Sequence, residues 1–439
     1  MFELKNPKGT KDYLPQEQVV RRGIVRKLER IFEYYGYMPL ETPTLCNFEV
    51  LSSKYAGGSE ILKEVYKLKD QGERQLGLRY DLTVPFAKVI GMNPDTKMPF
   101  KRYEIGKVFR DGPVKTGRFR EFTQCDVDMV GVKSMLGEAE LMVMAVDAFN
   151  EMGLDVYISY NNRKLLSGFL QSLGVKDEML NDVILTLDKV EKIPKEEIEK
   201  ELLGKGLLKE QIKDIFDVIN KNEDEFLVYV KENIDKSELL KEGYEEFSEL
   251  RNYIEALDIK DKTKFNPVLA RGLDIYTGTV FEFFLKDGCI TSSLGAGGRY
   301  DKIIGAFLDS TNEYPAVGIS FGLDVIFKAY EMKGLIDFSS PMDLYIISMG
   351  TVFESLKLSK NLREKGIKVG IEMTERKLKK SLDYANKSNI PYVVVIGENE
   401  VLKNQIKIKC MKSSEEKCIS LGEIEEISQY INYRKGEIN

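Results

Sequence analysis

The stretch "LARGLDIYTGTVFEFF", residues 269–284, joins the pattern of a core β-strand to charged residues at its start. From Tyr276 onward the residues alternate as in a half-buried strand, and Val280 and Phe281 are strong strand formers. The same stretch begins with Arg271 and Asp274 beside glycines. A buried cation is costly without an anionic partner. The stretch therefore predicts a core strand whose opening residues need an explanation other than packing.

The composition is that of a soluble protein with two or three domains. The chain has 439 residues, of which 43% are hydrophobic and 31% are charged, and this length is sufficient for several cores. No stretch approaches the roughly 18 consecutive apolar residues of a membrane span. The start "MFELKNPKGTKDYLP" lacks the basic and apolar regions of a signal peptide. We therefore expect a cytoplasmic protein with no membrane partner.

The sequence contains no histidine, and this excludes several kinds of site. Ser-His-Asp and Cys-His triads, His-ligated metals and imidazole acid–base catalysis all require that residue. The five cysteines are scattered and never form a C-x-x-C pair, so the sequence predicts neither a metal site nor a disulfide framework. Because the net charge is −6, a polyanionic partner would have to bind local basic patches.

The pattern along the chain predicts an α+β core that is interrupted by helices and followed by an α/β domain. Residues 1–164 mix helix and strand signals, which indicates an antiparallel sheet with helices. Residues 165–258 are rich in Lys, Glu and Leu at helical spacing and predict a helical insertion. Strand and glycine patterns return over 259–332, where the sheet would be completed. A β-α-β-α-β rhythm over 341–439 predicts a separate C-terminal domain.

The stretch "FKRYEIGKVFRDGPVKTGRFREFTQCDVD", residues 100–128, predicts two strands joined by a Gly/Pro loop. It brings four basic side chains near one another, with Phe122 between them: Arg110, Lys115, Arg118 and Arg120. One interpretation is a solvated basic hairpin. The other is a nucleotide triphosphate site, because Arg110 follows an apolar strand, an arginine fork matches a phosphate, and an aromatic ring stacks on a base.

Acidic and amide side chains occur where strands predict a core. Asp81 and Thr83 lie two residues apart on one side of a predicted extended stretch. A buried Asp81 needs a cationic partner. That partner could be a substrate α-ammonium or the structural Arg79, and the two are equally favoured. Three polar residues also alternate on one face of the next strand: Gln124, Asp126 and Asp128. Polar residues inside a core strand indicate a ligand pocket.

The glycine-rich stretch "LGAGGRYD", residues 294–301, has two interpretations. One is a turn between a strand and the helix predicted over "RYDKIIGAF". The other is a backbone segment that approaches a ligand closely, since glycine permits such an approach. The spacing fits neither the dinucleotide-binding fingerprint nor the P-loop, so neither of those sites is predicted.

These motifs resemble those of class II histidyl-tRNA synthetases over nearly the whole chain. "NPKGTKDYLP" and "GYMPLETPTL" resemble the start and the first class motif of that family, and "KVFRDGPVKTGRFREF" resembles the second class motif. "LARGLDIYTGTVFEF" and "SSLGAGGRYD" resemble its two histidine-specific signatures. The resemblance implies a class II antiparallel-sheet catalytic core with a helical insertion and a C-terminal α/β anticodon-binding domain. The first class motif implies a homodimer.

The resemblance also implies which residues bind ATP. Arg110 would contact the α-phosphate, Arg118 would lie near the outer phosphates, and Phe122 would lie under the adenine. Arg271 would face the α-phosphate from the side opposite Arg110. A reacting phosphate at the end of the strand would account for the cation with which the strand opens.

On the amino-acid side, the resemblance makes Asp81 and Gln124 the contacts to the α-amino group, with Thr83 beside them. Asp128 and Tyr276 would be the polar contacts to the imidazole. The residues that would bind histidine are therefore Asp81, Thr83, Gln124, Asp128, Arg271 and Tyr276.

The reaction implied is ATP-dependent activation of L-histidine, followed by transfer to the 3' end of tRNA(His), with ATP and Mg²⁺ as cofactors. The substrate carboxylate is already ionised and attacks the α-phosphorus in line, so no side-chain base is needed. Catalysis would then rest on positioning and charge stabilisation. A chain that lacks histidine can perform such a reaction.

Two positions depart from the class pattern and leave other interpretations open. Asp324 is followed by Val325 where the third class motif has an arginine, and Gly112 replaces the acid two residues after Arg110. One alternative is a regulatory subunit of ATP phosphoribosyltransferase. Another is a non-catalytic paralogue that senses histidine or tRNA. Histidine-dependent ATP–pyrophosphate exchange distinguishes the three.

Overall fold

The computed structural model describes residues 3–53, 59–114, 117, 119–270, 275–308, 313–336 and 340–438. The chain folds into two compact units that divide between Leu335 and Ile336. Among the described helices, none combines the length and apolar character needed to cross a bilayer.

The described residues form the following strands and helices. The strands are β1 (Met38–Pro39), β2 (Leu45–Asn47), β3 (Lys67–Lys69), β4 (Gln75–Leu78), β5 (Phe100–Phe109), β6 (Glu121–Val130), β7 (Val156–Asn162), β8 (Thr263–Phe265), β9 (Thr279–Leu285), β10 (Gly295–Arg299), β11 (Ala316–Gly322), β12 (Leu344–Met349), β13 (Val369–Ile371), β14 (Tyr392–Gly397), β15 (Gln405–Cys410) and β16 (Glu416–Ser420). The helices are α1 (Pro15–Tyr34), α2 (Phe48–Ser53), α3 (Ser59–Glu64), α4 (Thr83–Met92), α5 (Leu136–Glu151), α6 (Arg163–Ser172), α7 (Asp177–Leu187), α8 (Lys195–Gly204), α9 (Lys209–Ile219), α10 (Glu223–Glu232), α11 (Glu238–Ala256), α12 (Ile303–Phe307), α13 (Leu323–Met332), α14 (Val352–Glu364), α15 (Leu378–Lys387), α16 (Glu398–Leu402) and α17 (Ile424–Ile438).

The first unit is built on one large sheet. Among the described residues, eight strands follow the order β1-β5-β6-β11-β10-β9-β7-β8. The pairs β1–β5 and β7–β8 at the two edges are parallel, and the pairs between them are antiparallel. A smaller described sheet has the order β2-β4-β3. The predicted α+β class is therefore confirmed for this unit.

The two faces of the large sheet differ in chemistry because strand residues alternate between them. On one face, Cys125 and Val127 of β6 are buried, and helices α1, α5 and α13 pack there. Phe321 of β11 lies 5.6 Å from Phe32 of α1 and 5.5 Å from Phe149 of α5, measured between ring centroids. Tilted ring pairs of this kind stabilise a core beyond the area they bury. The polar residues of β6 must then lie on the opposite face.

A run of helices from α6 to α11 separates β7 from β8. Two glycines allow α6 and α11 to pack closely. A Cβ atom on Gly168 would lie 2.1 Å from the Leu240 backbone nitrogen, and one on Gly243 would lie 2.2 Å from the Leu165 backbone nitrogen. Because the obstructing atoms are backbone, side-chain rotation cannot relieve either clash.

We therefore predict that Gly168→Ala destabilises the helical run by about 1–3 kcal/mol or more, as overpacking typically does. The measurement is the free energy of unfolding by denaturant, followed by circular dichroism. The control is Gly204→Ala at the end of α8, where an added Cβ would meet nothing within 4 Å. That change should be neutral or slightly stabilising. Equal stabilities of the two variants would show that α6 and α11 do not pack through Gly168.

The second unit is a separate α/β domain. Its described strands follow the order β13-β12-β14-β15-β16, in which β12 pairs in parallel with β13 and β14, and the remaining pairs are antiparallel. Helices α14 and α17 pack together, and Leu358, Leu362 and Ile427 belong to the same buried cluster as the strands. The predicted C-terminal α/β domain is confirmed.

Candidate active site

The hairpin of β5 and β6 positions the first basic residue of the candidate site. The strands pair from Phe100–Val130 to Phe109–Glu121, and the backbone nitrogen of Arg110 donates to the Arg120 carbonyl at 2.8 Å. Arg110 is therefore the first residue after the paired part of β5. Its guanidinium carbon lies 4.2 Å from the ring centroid of Tyr80 and 5.0 Å from that of Phe122. Two aromatic faces thus hold one cation, an arrangement that is favourable by cation–π attraction.

Three of the predicted basic residues lie outside the described residues: Lys115, Arg118 and Arg271. The predicted pair of arginines on either side of a phosphate therefore stays a prediction. Arg120 is described, and its Nη1 lies 2.9 Å from the Asp111 carboxylate.

A large cavity opens beside Arg110. Its volume is about 1040 Å³, which is at the upper end of the range for small-molecule sites. The walls carry both charged and polar side chains, among them Glu64, Tyr80, Arg110, Ser159, Lys264 and Glu282. The cavity therefore has the size that a nucleotide would require, and Arg110 and Lys264 are cations on its wall.

The polar side chains predicted on β6 lie on the same face of the sheet as this cavity. One row of paired residues crosses the sheet from β6 to β7: Asp126, Ser320, Ala296, Glu282 and Ser159. Directly paired residues in a sheet point to the same face. We call the face that carries Gln124, Asp126 and Asp128 the polar face of β6. Because Glu282 and Ser159 of this row also line the cavity, the polar face of β6 is continuous with the cavity wall.

Asp128 is deeply buried and has two partners that the sequence did not predict. It is 3% exposed, its Oδ2 lies 2.7 Å from Nη2 of Arg102, and its Oδ1 accepts a hydrogen bond from the Tyr300 hydroxyl at 2.5 Å. Burial raises the pKa of the Asp128 carboxyl, whereas Arg102 lowers it. Arg102 pairs with Asp128 across β5 and β6, so only the register of the two strands could have identified it.

The glycine-rich stretch is a strand in the centre of the sheet, not a turn. Residues Gly295–Arg299 form β10 between β9 and β11. A Cβ on Gly298 would lie 2.8 Å from the Tyr276 ring, and a Cβ on Gly318 of β11 would lie 1.9 Å from Oδ1 of Asp128. The glycines therefore leave the space above the sheet that Tyr276 and Asp128 occupy. The close approach of this glycine-rich backbone to a ligand stays a prediction.

Asp81 and Thr83 lie at the start of a helix and not in an extended stretch. Thr83 is the first residue of α4, and Oδ1 of Asp81 accepts a hydrogen bond from the Val84 backbone nitrogen at 2.9 Å. Asp81 is 6% exposed. The Arg79 guanidinium is bound by Glu104, whose Oε1 lies 2.8 Å from Nη1, and by the Thr42 carbonyl. Asp81 is thus a buried carboxylate whose position is set by a helix terminus.

The acid that precedes Val325 joins four parts of the first unit. Asp324 is 6% exposed and accepts hydrogen bonds from the Tyr13 hydroxyl, from Nη1 of Arg21 at 2.7 Å and from the Thr123 backbone nitrogen at 3.0 Å. The Arg21 guanidinium also lies 3.8 Å from the Tyr13 ring centroid. Asp324 therefore ties the N-terminal segment, α1 and α13 to the beginning of β6.

Gly112 leaves room for a carboxylate from another part of the chain. A Cβ on Gly112 would lie 2.8 Å from Oε1 of Glu64. The Tyr80 hydroxyl donates to Oε2 of Glu64 at 3.2 Å, and the Asp111 backbone nitrogen donates to the Glu64 carbonyl at 2.7 Å. An acid therefore lies beside position 112 although the residue there is glycine. No local sequence signal links Glu64 to this loop.

No group of three or more acidic or thiol side chains that could hold a metal ion occurs in the part of the chain that the structure describes.

Comparisons with known proteins agree with the resemblance noted in the sequence. The family profile described as histidyl-tRNA synthetase matches residues 9–326, and the profile described as anticodon binding domain matches residues 343–429. Histidine--tRNA ligase 1 of Bacillus cereus is 53% identical over 417 residues, which cover 95% of this chain and 97% of that protein.

Solved structures share the fold. The histidyl-tRNA synthetase of Nostoc sp. PCC 7120 has a TM-score of 0.85 and 30% identity, covering 99% of this chain and 100% of that one. A protein from Bacillus halodurans C, described as an ATP phosphoribosyltransferase regulatory subunit/histidyl-tRNA synthetase, has a TM-score of 0.75 and 20% identity over 90% of this chain and 98% of that one. At that identity the likeness shows the fold alone. Because the first profile covers well over half of the sequence and a relative of 53% identity spans nearly all of it, the chain belongs to the histidyl-tRNA synthetase family.

Proposed function

We propose that this chain is a histidine–tRNA ligase, which activates L-histidine with ATP and transfers the histidyl group to the 3' end of tRNA(His). The observation that carries the proposal is the continuity of the cavity beside Arg110 with the polar face of β6. A nucleotide in the cavity and an amino acid over the polar face would meet on one side of the sheet. Family membership supports the same reaction.

In this proposal the histidine carboxylate attacks the α-phosphorus of ATP, a P–O bond forms, and pyrophosphate leaves. Arg110, held between the Tyr80 and Phe122 rings, would stabilise the charge that develops on the α-phosphate. Arg271 and Arg118 would contact the phosphates from other sides, and Phe122 would stack on the adenine. The substrate carboxylate is itself the nucleophile, so no imidazole base is required.

Mg²⁺ would be held mainly by the triphosphate, with Glu282 of the cavity wall as a carboxylate ligand from the protein. A magnesium ion bound through substrate phosphates and one or two carboxylates is common in nucleotide sites. When bound, it would neutralise charge on the departing pyrophosphate.

The amino acid would lie over the polar face of β6. Its α-ammonium would contact Asp81 and Gln124, with Thr83 nearby, and its imidazole would contact Asp128 and Tyr276. The burial of Asp81 supports the placement of the α-ammonium, because a buried carboxylate favours a cationic ligand. Tyr276 lies over Gly298, which brings it to the same face of the sheet as Asp128.

The remaining assignments follow the family. Residues 1–164 and 259–332 would form the catalytic core, 165–258 the insertion and 341–439 the anticodon-binding domain. The loop over 112–117 would contact the acceptor stem, with Lys115 on a phosphate. We further infer a homodimer that works in the cytoplasm and binds tRNA with an affinity that falls as salt rises.

The test is ATP–pyrophosphate exchange by the purified full-length chain. We expect exchange that depends on L-histidine and requires Mg²⁺, followed by charging of tRNA(His) when the tRNA is added. A regulatory subunit or a sensing paralogue would bind histidine without exchange. Histidine binding without exchange, at ATP and Mg²⁺ concentrations that saturate related enzymes, would therefore refute the proposed activity.

A further inference from the structure

Asp126 is a buried carboxylate in the middle of the polar face of β6, and the proposed contacts to histidine leave it without a role. It is 2% exposed. It pairs with Glu104 of β5 and with Ser320 of β11, so it lies between Gln124 and Asp128 on the same face. A carboxylate at the centre of a sheet contributes little to packing, because burial opposes its charge.

The hydrogen bonds of Gln124 indicate what Asp126 does. Nε2 of Gln124 donates to Ser320 Oγ at 2.6 Å and to Asp126 Oδ1 at 3.3 Å. These two acceptors account for both amide hydrogens. Oε1 of Gln124 is buried and has no hydrogen-bond partner among the described residues. A buried acceptor without a donor is unfavourable, and a ligand that brings an N–H group would satisfy it.

The charges around Asp126 favour a cation at the same place. Asp128 on its own strand and Asp81 before α4 raise the pKa of Asp126, whereas Arg102 of β5 and a hydrogen bond from Ser320 lower it. Glu104 of β5 pairs with Asp126 across the strands and is itself bound by Arg79. Burial, and then repulsion by Asp128, raise the pKa of the Asp126 carboxyl to about 8. Among the described residues, four carboxylates lie close together here beside two guanidiniums: Asp81, Glu104, Asp126 and Asp128, with Arg79 and Arg102. A bound ammonium would offset part of this excess negative charge.

We propose that Asp126 is a positioning residue for the amino-acid substrate. With Ser320, it holds the amide of Gln124 so that Oε1 is presented to the substrate α-ammonium, and its negative charge strengthens that contact. The inference rests on the proposed function and adds a residue to its amino-acid site. It also makes histidine binding depend on the ionisation of Asp126.

The sign of this dependence follows from linkage. Because burial and the neighbouring Asp128 raise the pKa of the Asp126 carboxyl, protonation of Asp126 competes with the binding of an ammonium as the pH falls. Histidine affinity should therefore rise with pH up to about 8 and level off above it. The ionisation of free L-histidine also changes over this range. Its effect on affinity is the same for two proteins that are compared at the same pH, so it does not affect the difference between them.

The experiment is calorimetric titration of L-histidine into the full-length wild type and into Asp126→Asn, between about pH 6.5 and about pH 8.5. We expect the variant to bind about tenfold more weakly near pH 8, and the difference to shrink as the pH falls. In ATP–pyrophosphate exchange, the KM for histidine should rise while kcat and the KM for ATP stay within about twofold. Equal affinities at every pH would overturn the proposal.

Ser320→Ala is the second variant, in case Asp126→Asn does not fold. It removes one of the two acceptors that orient Gln124 and also the hydroxyl whose hydrogen bond lowers the pKa of Asp126. We expect weaker histidine binding, and unchanged affinity would overturn the role given to the Gln124 anchor. A wild type that binds histidine but performs no exchange would refute the proposed activity and leave this comparison intact. A wild type that binds no histidine would refute both.

Discussion

Replacement of Arg110 by methionine should lower histidine-dependent ATP–pyrophosphate exchange by about 10²–10³-fold, equivalent to about 3–4 kcal/mol of transition-state stabilisation. Methionine approximates the length of arginine without its charge. The Tyr80 and Phe122 rings hold the guanidinium at the wall of the cavity, so the cation is oriented before the nucleotide binds. Preorganised charge of this kind acts on the transition state without further reorganisation.

Two measurements separate this effect from a loss of structure. Histidine binding by Arg110→Met, measured by calorimetry, should be close to that of the wild type, because the polar face of β6 does not include Arg110. Arg74→Met is the matched control: Arg74 is exposed and pairs with Asp70 on the turn after β3, and exchange should not change. If Arg110→Met exchanged pyrophosphate at a near-normal rate, Arg110 would not be the phosphate contact.

The elements of the fold with regular patterns could be predicted from the sequence. The alternation in β5 and β6 and the helical spacing after Asn162 are local signals, and the structure has strands and helices there. The glycines of β10 misled the prediction because glycine has low strand propensity. The reason for the strand is not local: Tyr276 and Asp128 occupy the space that side chains at Gly298 and Gly318 would fill.

The part of the candidate site that lies on a single strand, β6, could be predicted from the sequence. Gln124, Asp126 and Asp128 alternate on β6, and this alone indicated a pocket. Their partners were not predictable, because Arg102 reaches Asp128 from β5 and Tyr300 reaches it from the residue after β10. Such contacts depend on strand register, which a single sequence does not specify.

The second large effect concerns Asp324. It precedes Val325, which stands where the third class motif has an arginine. Asp324→Asn keeps the shape of the side chain but leaves Arg21 as a buried cation without its anion. Both side chains of the pair are 5% exposed. Removing one partner of such a pair typically costs about 3–5 kcal/mol, so we expect a loss of that size in the free energy of unfolding by denaturant.

The same substitution should raise the KM for ATP, because Oδ2 of Asp324 binds the Thr123 backbone nitrogen between Phe122 and Gln124. The control is Asp287→Asn, which removes the partner of Lys333 in an exposed pair and should leave the unfolding free energy nearly unchanged.

A double-mutant cycle with Arg21→Met tests whether the pair acts as a unit. Removing both partners leaves no uncompensated buried charge, so the double variant should be more stable than Asp324→Asn alone. Additive losses would instead mean that Arg21 and Asp324 contribute independently. In that case the hydrogen bonds to Tyr13 and Thr123, and not the ion pair, would hold the start of β6 against α13.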